Sequence, residues 1–316
     1  ITCRDWSSDV CSSDLTPTAF ASLARISKAF GGVQALHEVS LNLRQGEIHC
    51  LVGENGCGKS TLIKILAGVH SPDTGEIRIG TGRHSRLRPG DAMRLGIQVI
   101  FQDFSLFPNL TVAENIALPS HLENRRRFIR RRHSNRIAAQ TLDTLGVSLD
   151  LDRPVSTLSV ARQQLVAIAR ALPHATRLLV MDEPTAALTH REIERLFQIV
   201  RTLKHQGVGI LLVNHKIPEI MALADHITVL RNGEVTRTGP ASEFTPVTLV
   251  EAMTGRTPSG RTVPTGPARA RTTPRLRVDQ LACGDLLADI TFEVQPGEIV
   301  GLTGRLGSGR TALAQA

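Results

Sequence analysis

A glycine-rich segment near the start of the chain constrains the fold most. Residues 53–60 fit the pattern G-x-x-x-x-G-K-[ST]. The apolar run before it, 48–52, predicts a buried strand, and the apolar residues after it predict a helix that ends at Gly68. In this setting the glycines let consecutive backbone N–H groups face phosphate oxygens at the positive end of a helix. The segment therefore predicts a nucleotide site rather than an ordinary glycine-rich turn.

The side chains of this loop supply the chemistry that a phosphate needs. Lys59 carries a point charge for the β- and γ-phosphates, and the Ser60 hydroxyl is a ligand for Mg²⁺. Cys57 has two interpretations: a tolerated small residue, or a thiol activated by the helix N-terminus and Lys59. The predicted nucleotide contacts of the loop are Gly53, Glu54, Asn55, Gly56, Cys57, Gly58, Lys59, Ser60 and Thr61.

A second apolar strand, 177–181, ends in two carboxylates. Asp182, at the end of a strand parallel to the first, is placed to reach the Mg²⁺ shell. Glu183 points elsewhere and is predicted to polarise a water for attack on the γ-phosphate. The alternative is that the two acids only cap a turn.

Three further features have a characteristic order along the chain. Gln102 follows an apolar run, Ser159 begins a helix over about 159–172, and His215 ends a predicted strand that begins at Gly209. A single glutamine or histidine is usually an ordinary surface or core residue. The prediction therefore rests on the order in which the features occur along the chain: loop, glutamine, Ser-capped helix, Asp-Glu pair and histidine.

This order resembles the nucleotide-binding domains of ATP-binding cassette (ABC) transporters, from about Leu23 to the end of the chain. The resemblance implies ATP as the nucleotide, catalytic roles for Glu183, His215 and Gln102, and Mg²⁺ ligands at Ser60, Gln102 and Asp182. It also implies signature contacts to a nucleotide from Ser159, Ala161 and Gln163. Phe30 falls where the family stacks an aromatic ring on adenine, the alternative being a buried hydrophobic residue at a strand end.

The end of the chain repeats its beginning. Residues 286–300 echo 36–51, and 301–311 repeat the phosphate loop with Arg310 in place of lysine. This repeat predicts further nucleotide contacts from Gly304, Gly309, Arg310 and Thr311. Tandem cassettes with such a second loop resemble the ATPase subunits of bacterial monosaccharide importers of the ribose, galactose and xylose type.

That resemblance implies hydrolysis coupled to sugar uptake, with an integral-membrane permease and a periplasmic or extracellular sugar-binding protein as partners. It places the protein peripherally at the cytoplasmic face of the bacterial inner membrane. A related nucleoside or autoinducer importer, and a soluble non-transport cassette protein, are the alternatives. The chain departs from the family pattern at Val160 and Ala161, where glycines are usual, and at Arg162, so the two composite ATP sites are expected to be unequal.

The expected fold is α/β: a P-loop cassette with a mostly parallel sheet, an antiparallel β layer near the N-terminus and a helical subdomain at about 108–157. A capping box from Thr189 to Glu192 predicts a helix that ends at Gly207. The expected organisation is a non-native read-through segment at 1–15, a first cassette at 22–255, a linker rich in proline and arginine at 256–275, and the start of a second cassette at 276–316.

Composition limits the class of protein. No apolar run approaches the roughly 18 residues of a membrane span, so transport would need a separate permease. Aromatic residues make up 3% of the chain and no recognition motif occurs, which argues against nucleic acid. The net charge of +8 comes partly from the linker and partly from an arginine cluster, either a contact for acidic permease loops or lipid headgroups, or a solvated helix face. This cluster comprises Arg125, Arg126, Arg127, Arg130, Arg131 and Arg132.

The five cysteines form no C-x-x-C pair, which indicates a reducing cytoplasm, and Cys50 is predicted to lie in the core.

Overall fold

The computed structural model describes residues 19–123, 130–173, 175–256, 273–283, 287–304 and 308–316. The chain divides into two compact units, Ile1–Pro258 and Ser259–Ala316. The predicted read-through segment, Arg125 to Arg127 and most of the predicted linker lie outside the described residues. The proposed domain boundaries stay predictions.

The first unit contains ten described strands and eight described α-helices. In chain order they are β1 (Ala21–Phe30), β2 (Val33–Leu43), β3 (Ile48–Val52), α1 (Lys59–Leu66), β4 (Thr74–Ile79), β5 (Gly82–His84), α2 (Pro89–Arg94), β6 (Ile97–Ile100), α3 (Val112–Glu123), α4 (Arg131–Thr144), α5 (Val160–Ala171), β7 (Leu178–Asp182), α6 (His190–His205), β8 (Gly209–Val213), α7 (Ile217–Leu223), β9 (His226–Arg231), β10 (Glu234–Pro240) and α8 (Pro246–Thr254).

The central sheet has six strands in the order β10-β9-β3-β8-β7-β6. All neighbouring pairs are parallel except β10 with β9. Every residue of β3 and β8 is buried, as expected for strands covered on both faces. The prediction of a mostly parallel sheet is confirmed, and the carboxyl ends of β3, β6, β7 and β8 meet at one edge.

The predicted antiparallel layer is also confirmed. Its strands have the order β2-β1-β4-β5, and each neighbouring pair is antiparallel. Leu23 and Leu41 from this layer share one hydrophobic core with Leu62 and Leu66 of α1. The helix after the glycine-rich loop is therefore packed between the two sheets.

Helices α3 and α4 lie between β6 and α5 along the chain, within the range predicted for a helical subdomain. The loop before α3 is held by the fully buried Asn115, whose Nδ2 donates to the carbonyls of Phe107 and Leu110 at 3.0 and 3.2 Å. Among the described residues, no helix combines the length and apolar character that crossing a bilayer requires.

Helix α6 begins as its capping box predicts. The Glu192 carboxylate accepts hydrogen bonds from the backbone N–H and the hydroxyl of Thr189, both at 2.8 Å. Its buried face includes Leu196, Val200 and Leu203.

The second unit is described in part and contains β11 (Leu276–Cys283), β12 (Leu287–Val294) and α9 (Arg310–Gln315). The two strands pair antiparallel, as β1 and β2 do. Gly309 precedes α9 with a φ of 81°, and Gly58 precedes α1 with a φ of 106°. The two copies of the sequence repeat thus share a structural feature, a glycine with left-handed backbone conformation directly before a helix.

Candidate functional site

The glycine-rich loop between β3 and α1 has positions that only glycine fits. A Cβ atom on Gly53 would lie 2.1 Å from the Leu230 carbonyl oxygen, and one on Gly58 would lie 2.5 Å from the Ala35 oxygen. Gly58 also has a left-handed φ of 106°, which side chains disfavour. The loop is therefore closely packed against β2 and β9 at its two ends.

Lys59 lies inside the curve of this loop. Its Nζ donates to the carbonyl oxygens of Gly53 and Glu54, at 2.8 Å in each case, and the residue is 7% exposed. Buried charges require such compensation. The ammonium group is thus already held where a phosphate bound by the loop would meet it.

The loop opens on a cleft of about 410 Å³ that gathers residues from four parts of the chain. Its lining contains the predicted residues Asn55, Gly56, Gly58, Lys59, Ser60, Thr61, Gln102, Asp182 and Glu183, together with Ala35. Ala35 carries no functional signal in the sequence, because an alanine within an apolar strand pattern looks like any core residue.

The carboxylate of Asp182 is in an environment that disfavours its charge. Burial raises the pKa of Asp182 above its ordinary value, and the negative charge of Glu183 raises it further, while Lys59 and Lys64 act in the opposite direction. A bound divalent cation would stabilise the charged form of this carboxylate. The oxygens of Ser60, Gln102 and Asp182 in one cleft fit the hard, oxygen-rich coordination that Mg²⁺ prefers.

Glu183 and His215 face each other across the ends of β7 and β8. The Nδ1 atom of His215 lies 3.0 Å from Oε1 of Glu183, and their side chains are 48% and 20% exposed. Glu183 has a left-handed φ of 46°, and its backbone N–H donates to the Val213 oxygen at 2.9 Å. The chain therefore turns at Glu183, directly after the end of β7.

The strand before His215 ends earlier than predicted. β8 stops at Val213, because the Asn214 side-chain oxygen accepts the backbone N–H groups of His215 and Lys216 at 2.7 and 3.0 Å. This is an Asx turn, which takes the chain out of the sheet. His215 therefore belongs to a turn and is not a strand residue.

Asn214 is the centre of a polar network that sequence reasoning missed. Its Nδ2 donates to the Glu219 carboxylate at 2.6 Å, and the Thr185 hydroxyl donates to the same carboxylate. Lys216 closes the network, with its Nζ 2.9 Å from the Thr185 carbonyl oxygen. Asn214 and Thr185 are each 1% exposed. The network ties the segment after β7 to the segment after β8.

The predicted adenine contact, Phe30, ends β1 and is 42% exposed. The alternative of a buried hydrophobic residue is therefore wrong. Its ring packs edge-on against His70, with centroids 5.2 Å apart, and is not part of the lining of the cleft. Stacking on adenine stays a prediction.

The signature residues lie at the start of α5, apart from the cleft. Ser159 occupies the N-cap position, as predicted, but its hydroxyl makes no capping hydrogen bond. Gln163 donates to the carbonyls of Val155 and Leu158. Ser159 and Ala161 line a separate cavity of about 130 Å³.

The remaining predicted contacts belong to the second unit. Arg310 and Thr311 begin α9, and Gly309 precedes it. A Cβ atom on Gly304 would lie 2.5 Å from the Ser308 hydroxyl oxygen.

The two described cysteines of the first unit are both buried. Burial raises the pKa of the Cys50 thiol, which is fully enclosed in the core as predicted. Cys57 is 6% exposed, and its sulfur lies 3.7 Å from the Lys59 Nζ. Its enclosure favours the interpretation of a tolerated small residue.

A family profile described as ABC transporter matches residues 36–186. The chain is 45% identical over 307 residues to the Ribose import ATP-binding protein RbsA 2 of Streptomyces avermitilis, covering 96% of this chain and 60% of that protein. It is 42% identical over 300 residues to the Autoinducer 2 import ATP-binding protein LsrA of Enterobacter sp. (strain 638), covering 92% and 59%. The chain thus spans about 60% of the length of these relatives.

Solved structures with the same fold are also nucleotide-binding cassettes. The ADP conformation of an ATP-binding cassette from an ABC transporter superposes with a TM-score of 0.66 at 26% identity, covering 76% of this chain and all of that one. A dimeric cassette in a post-hydrolysis state, bound to ADP and Pi, gives a TM-score of 0.62 at 29% identity, covering 70% and 98%.

Proposed function

The chain belongs to the family of ABC transporter ATPase domains, and from this premise we propose that it binds ATP with Mg²⁺ and hydrolyses it to drive uptake of a monosaccharide. The observation that carries the proposal is the cleft that joins Lys59, Asp182 and Glu183. The cleft combines the Lys59 ammonium, which can bind phosphate, the Asp182 carboxylate, which can bind the metal ion, and the Glu183 carboxylate, which can orient a water molecule.

The loop residues bind and orient the triphosphate. Backbone N–H groups of the loop and of the first turn of α1 donate to phosphate oxygens, and the Lys59 ammonium exchanges its two carbonyl acceptors for β- and γ-phosphate oxygens. Ser60, Gln102 and Asp182 would hold Mg²⁺, which would supply charge neutralisation on the phosphates.

Glu183 and His215 act at the γ-phosphate. The Glu183 carboxylate accepts a hydrogen bond from the attacking water and orients it. His215 directs Nδ1 toward Glu183 and leaves Nε2 for a γ-phosphate oxygen. The turn at Glu183 lets the two neighbouring carboxylates serve different purposes.

Binding of Mg-ATP by the purified chain tests the nucleotide site. Lys59→Ala should weaken binding in calorimetric titration, because the loop loses its only side-chain cation. Arg83→Ala, a change at a largely exposed arginine of β5, is the matched control and should bind normally. Equal affinities for the wild type and Lys59→Ala would contradict the proposal.

The transported substrate is inferred from the relatives, which are named for ribose and autoinducer 2 import. We propose a monosaccharide importer with a separate permease and a sugar-binding protein, working at the cytoplasmic face of the inner membrane together with a second cassette. A nucleoside or autoinducer importer is the related alternative. In vesicles containing the permease, sugar-loaded binding protein should stimulate ATP hydrolysis. Lack of stimulation by any monosaccharide would refute the sugar assignment and leave ATP hydrolysis standing.

A further inference from the structure

A group of three potential metal ligands lies at the opposite end of β3 from the glycine-rich loop. Glu47 directly precedes β3, His49 is its second residue, and His226 begins β9. β3 and β9 are parallel neighbours in which His49 and His226 are paired. One ligand atom from each of the three side chains lies within 4.8 Å of the other two. At about 3.3 Å per strand residue, His49 lies about 13 Å from Gly53, so this group is separate from the nucleotide cleft.

The three side chains present buried atoms without hydrogen-bond partners. These atoms are Oε1 of Glu47, Nδ1 of His49 and Nδ1 of His226. His49 is 2% exposed, so its free nitrogen has no access to bulk water. Buried polar atoms are normally satisfied, and three orphaned atoms in one cluster indicate a missing partner.

Hydrogen bonds with neighbouring side chains orient His49 and Glu47, as such bonds orient the ligands of metal sites. His49 Nε2 lies 2.8 Å from the Thr228 hydroxyl, which lies 2.8 Å from the Thr238 hydroxyl. A hydrogen bond donated by Nε2–H to Thr228 leaves the lone pair on Nδ1, the tautomer that ligates through Nδ1. Arg44 donates to the Oε2 atom of Glu47 at 3.2 Å and leaves Oε1 available.

An ion pair between His49 and Glu47 explains less of the geometry. Nδ1 of His49 is 3.4 Å from Oε1 of Glu47, and neither atom has a hydrogen-bond partner. An ion pair also gives no reason for the second imidazole, whose ring centroid lies 4.9 Å from that of His49. Two protonated rings this close repel each other, whereas two neutral rings can share one cation.

We propose that Glu47, His49 and His226 bind one divalent transition-metal ion, with Zn²⁺ as the ion that best suits their ligand chemistry. Two imidazoles and one carboxylate are a known zinc ligand set, with a fourth position left for water. Mg²⁺ prefers oxygen ligands, so the two ions select different sites. Two ligands about 2.1 Å from zinc at a tetrahedral angle are about 3.4 Å apart, which matches the separation of Glu47 and His49. The third ligand atom, from the partly exposed His226, lies within 4.8 Å of the other two.

A bound ion would join β3 to β9 through side chains as well as through the sheet. Ligands that bind only the folded state stabilise it in proportion to the logarithm of their concentration over Kd. Zinc should therefore raise the melting temperature of the chain in a dose-dependent manner.

The test measures zinc on the full chain in nucleotide-free and Mg²⁺-free buffer, by equilibrium dialysis and elemental analysis. His226→Ala and Glu47→Gln should each lose one zinc equivalent and the zinc-dependent rise in Tm. His205→Ala, at an exposed histidine of α6, is the matched control and should keep both. Thr228→Val should retain the site with an affinity about 10–100-fold lower, the usual effect of removing a ligand's hydrogen-bond partner.

Identical zinc stoichiometry and affinity in the wild type and His226→Ala would overturn the proposal, as would a wild-type chain that binds no zinc at micromolar free concentration. His226 is partly exposed at the start of a strand, so its replacement should leave the fold intact. Glu47→Gln keeps the size and shape of the carboxylate. Loss of zinc in both variants, with cooperative unfolding preserved, therefore separates loss of ligands from loss of fold.

Discussion

His215 and Glu183 are in hydrogen-bond contact, with Nδ1 of the histidine 3.0 Å from Oε1 of the glutamate. The two residues are 32 positions apart and meet because β7 and β8 are parallel neighbours in which Asp182 pairs with Val213. Each then leaves its strand by a turn, at Glu183 and at Asn214. The pairing of β7 with β8 and the two turns therefore bring the proposed water-orienting pair into contact.

Glu183→Gln should retain ATP binding and lose hydrolysis by about 10²-fold or more, the range for removal of a general base. The amide keeps the size of the side chain but cannot polarise the water as a carboxylate does. Single-turnover hydrolysis and equilibrium ATP binding measure the two effects separately. Glu194→Gln, on the exposed side of α6, is the matched control. Near-normal turnover in Glu183→Gln would remove the assignment.

Asn214→Ala should slow hydrolysis through His215 without a comparable loss of ATP affinity. It deletes the acceptor of two backbone N–H groups and the donor to Glu219, and it should destabilise the fold by about 1–3 kcal/mol. His215→Ala should slow hydrolysis directly. In a double-mutant cycle the combined variant should be no slower than His215→Ala. Additive losses would show that Asn214 acts independently of His215.

Asp182→Asn should stabilise the nucleotide-free protein while abolishing the stabilisation that Mg-ATP gives. Burial raises the pKa of Asp182 in the folded state, so its ionised form opposes folding at neutral pH. Since proton binding favours the folded wild type, the thermal advantage of Asp182→Asn should shrink as the pH falls through the raised pKa. Thermal unfolding across a pH series measures this. A lower Tm for Asp182→Asn at pH 7 would contradict the prediction.

Lys59→Ala should remove most ATPase activity, whereas Arg310→Ala should leave most of it. In the ABC family each ATP lies between the loop of one cassette and the signature of the other. The first loop keeps Lys59, whereas the second loop has Arg310, whose forked guanidinium does not reproduce the point charge of a lysine. The steady-state rate of ATP hydrolysis of each variant, compared with that of the wild type at saturating Mg-ATP, measures the difference. Comparable losses would show equivalent sites.

Local sequence signals were enough for the framework of the site. The apolar run before Gly53 and the pattern around Lys59 predicted β3, the loop and α1, and Thr189 with Glu192 predicted the start of α6. Each of these signals lies within about ten residues of the element that it predicts. Such patterns reflect strand burial and helix capping, which act locally.

The remaining contacts depend on which strands become neighbours. Thr185 and Glu219 meet only because β7 and β8 pair, and their sequence neighbours give no reason to connect them. His226 is 177 residues from His49, and its side chain gains significance only when β9 lies beside β3. The spacing of Glu47 and His49, two residues apart where β3 begins, puts both on one face and is a local signal, but it does not identify the third ligand.

The backbone conformation at Glu183 affects which substitutions at this position are favourable. A left-handed φ at a residue other than glycine is a small, local strain. A library of variants selected only for resistance to heat should therefore enrich glycine at position 183, since glycine adopts this backbone without the steric penalty of a Cβ atom. The same selection would discard the carboxylate proposed to orient water, so thermal selection and turnover would drive this single position in opposite directions.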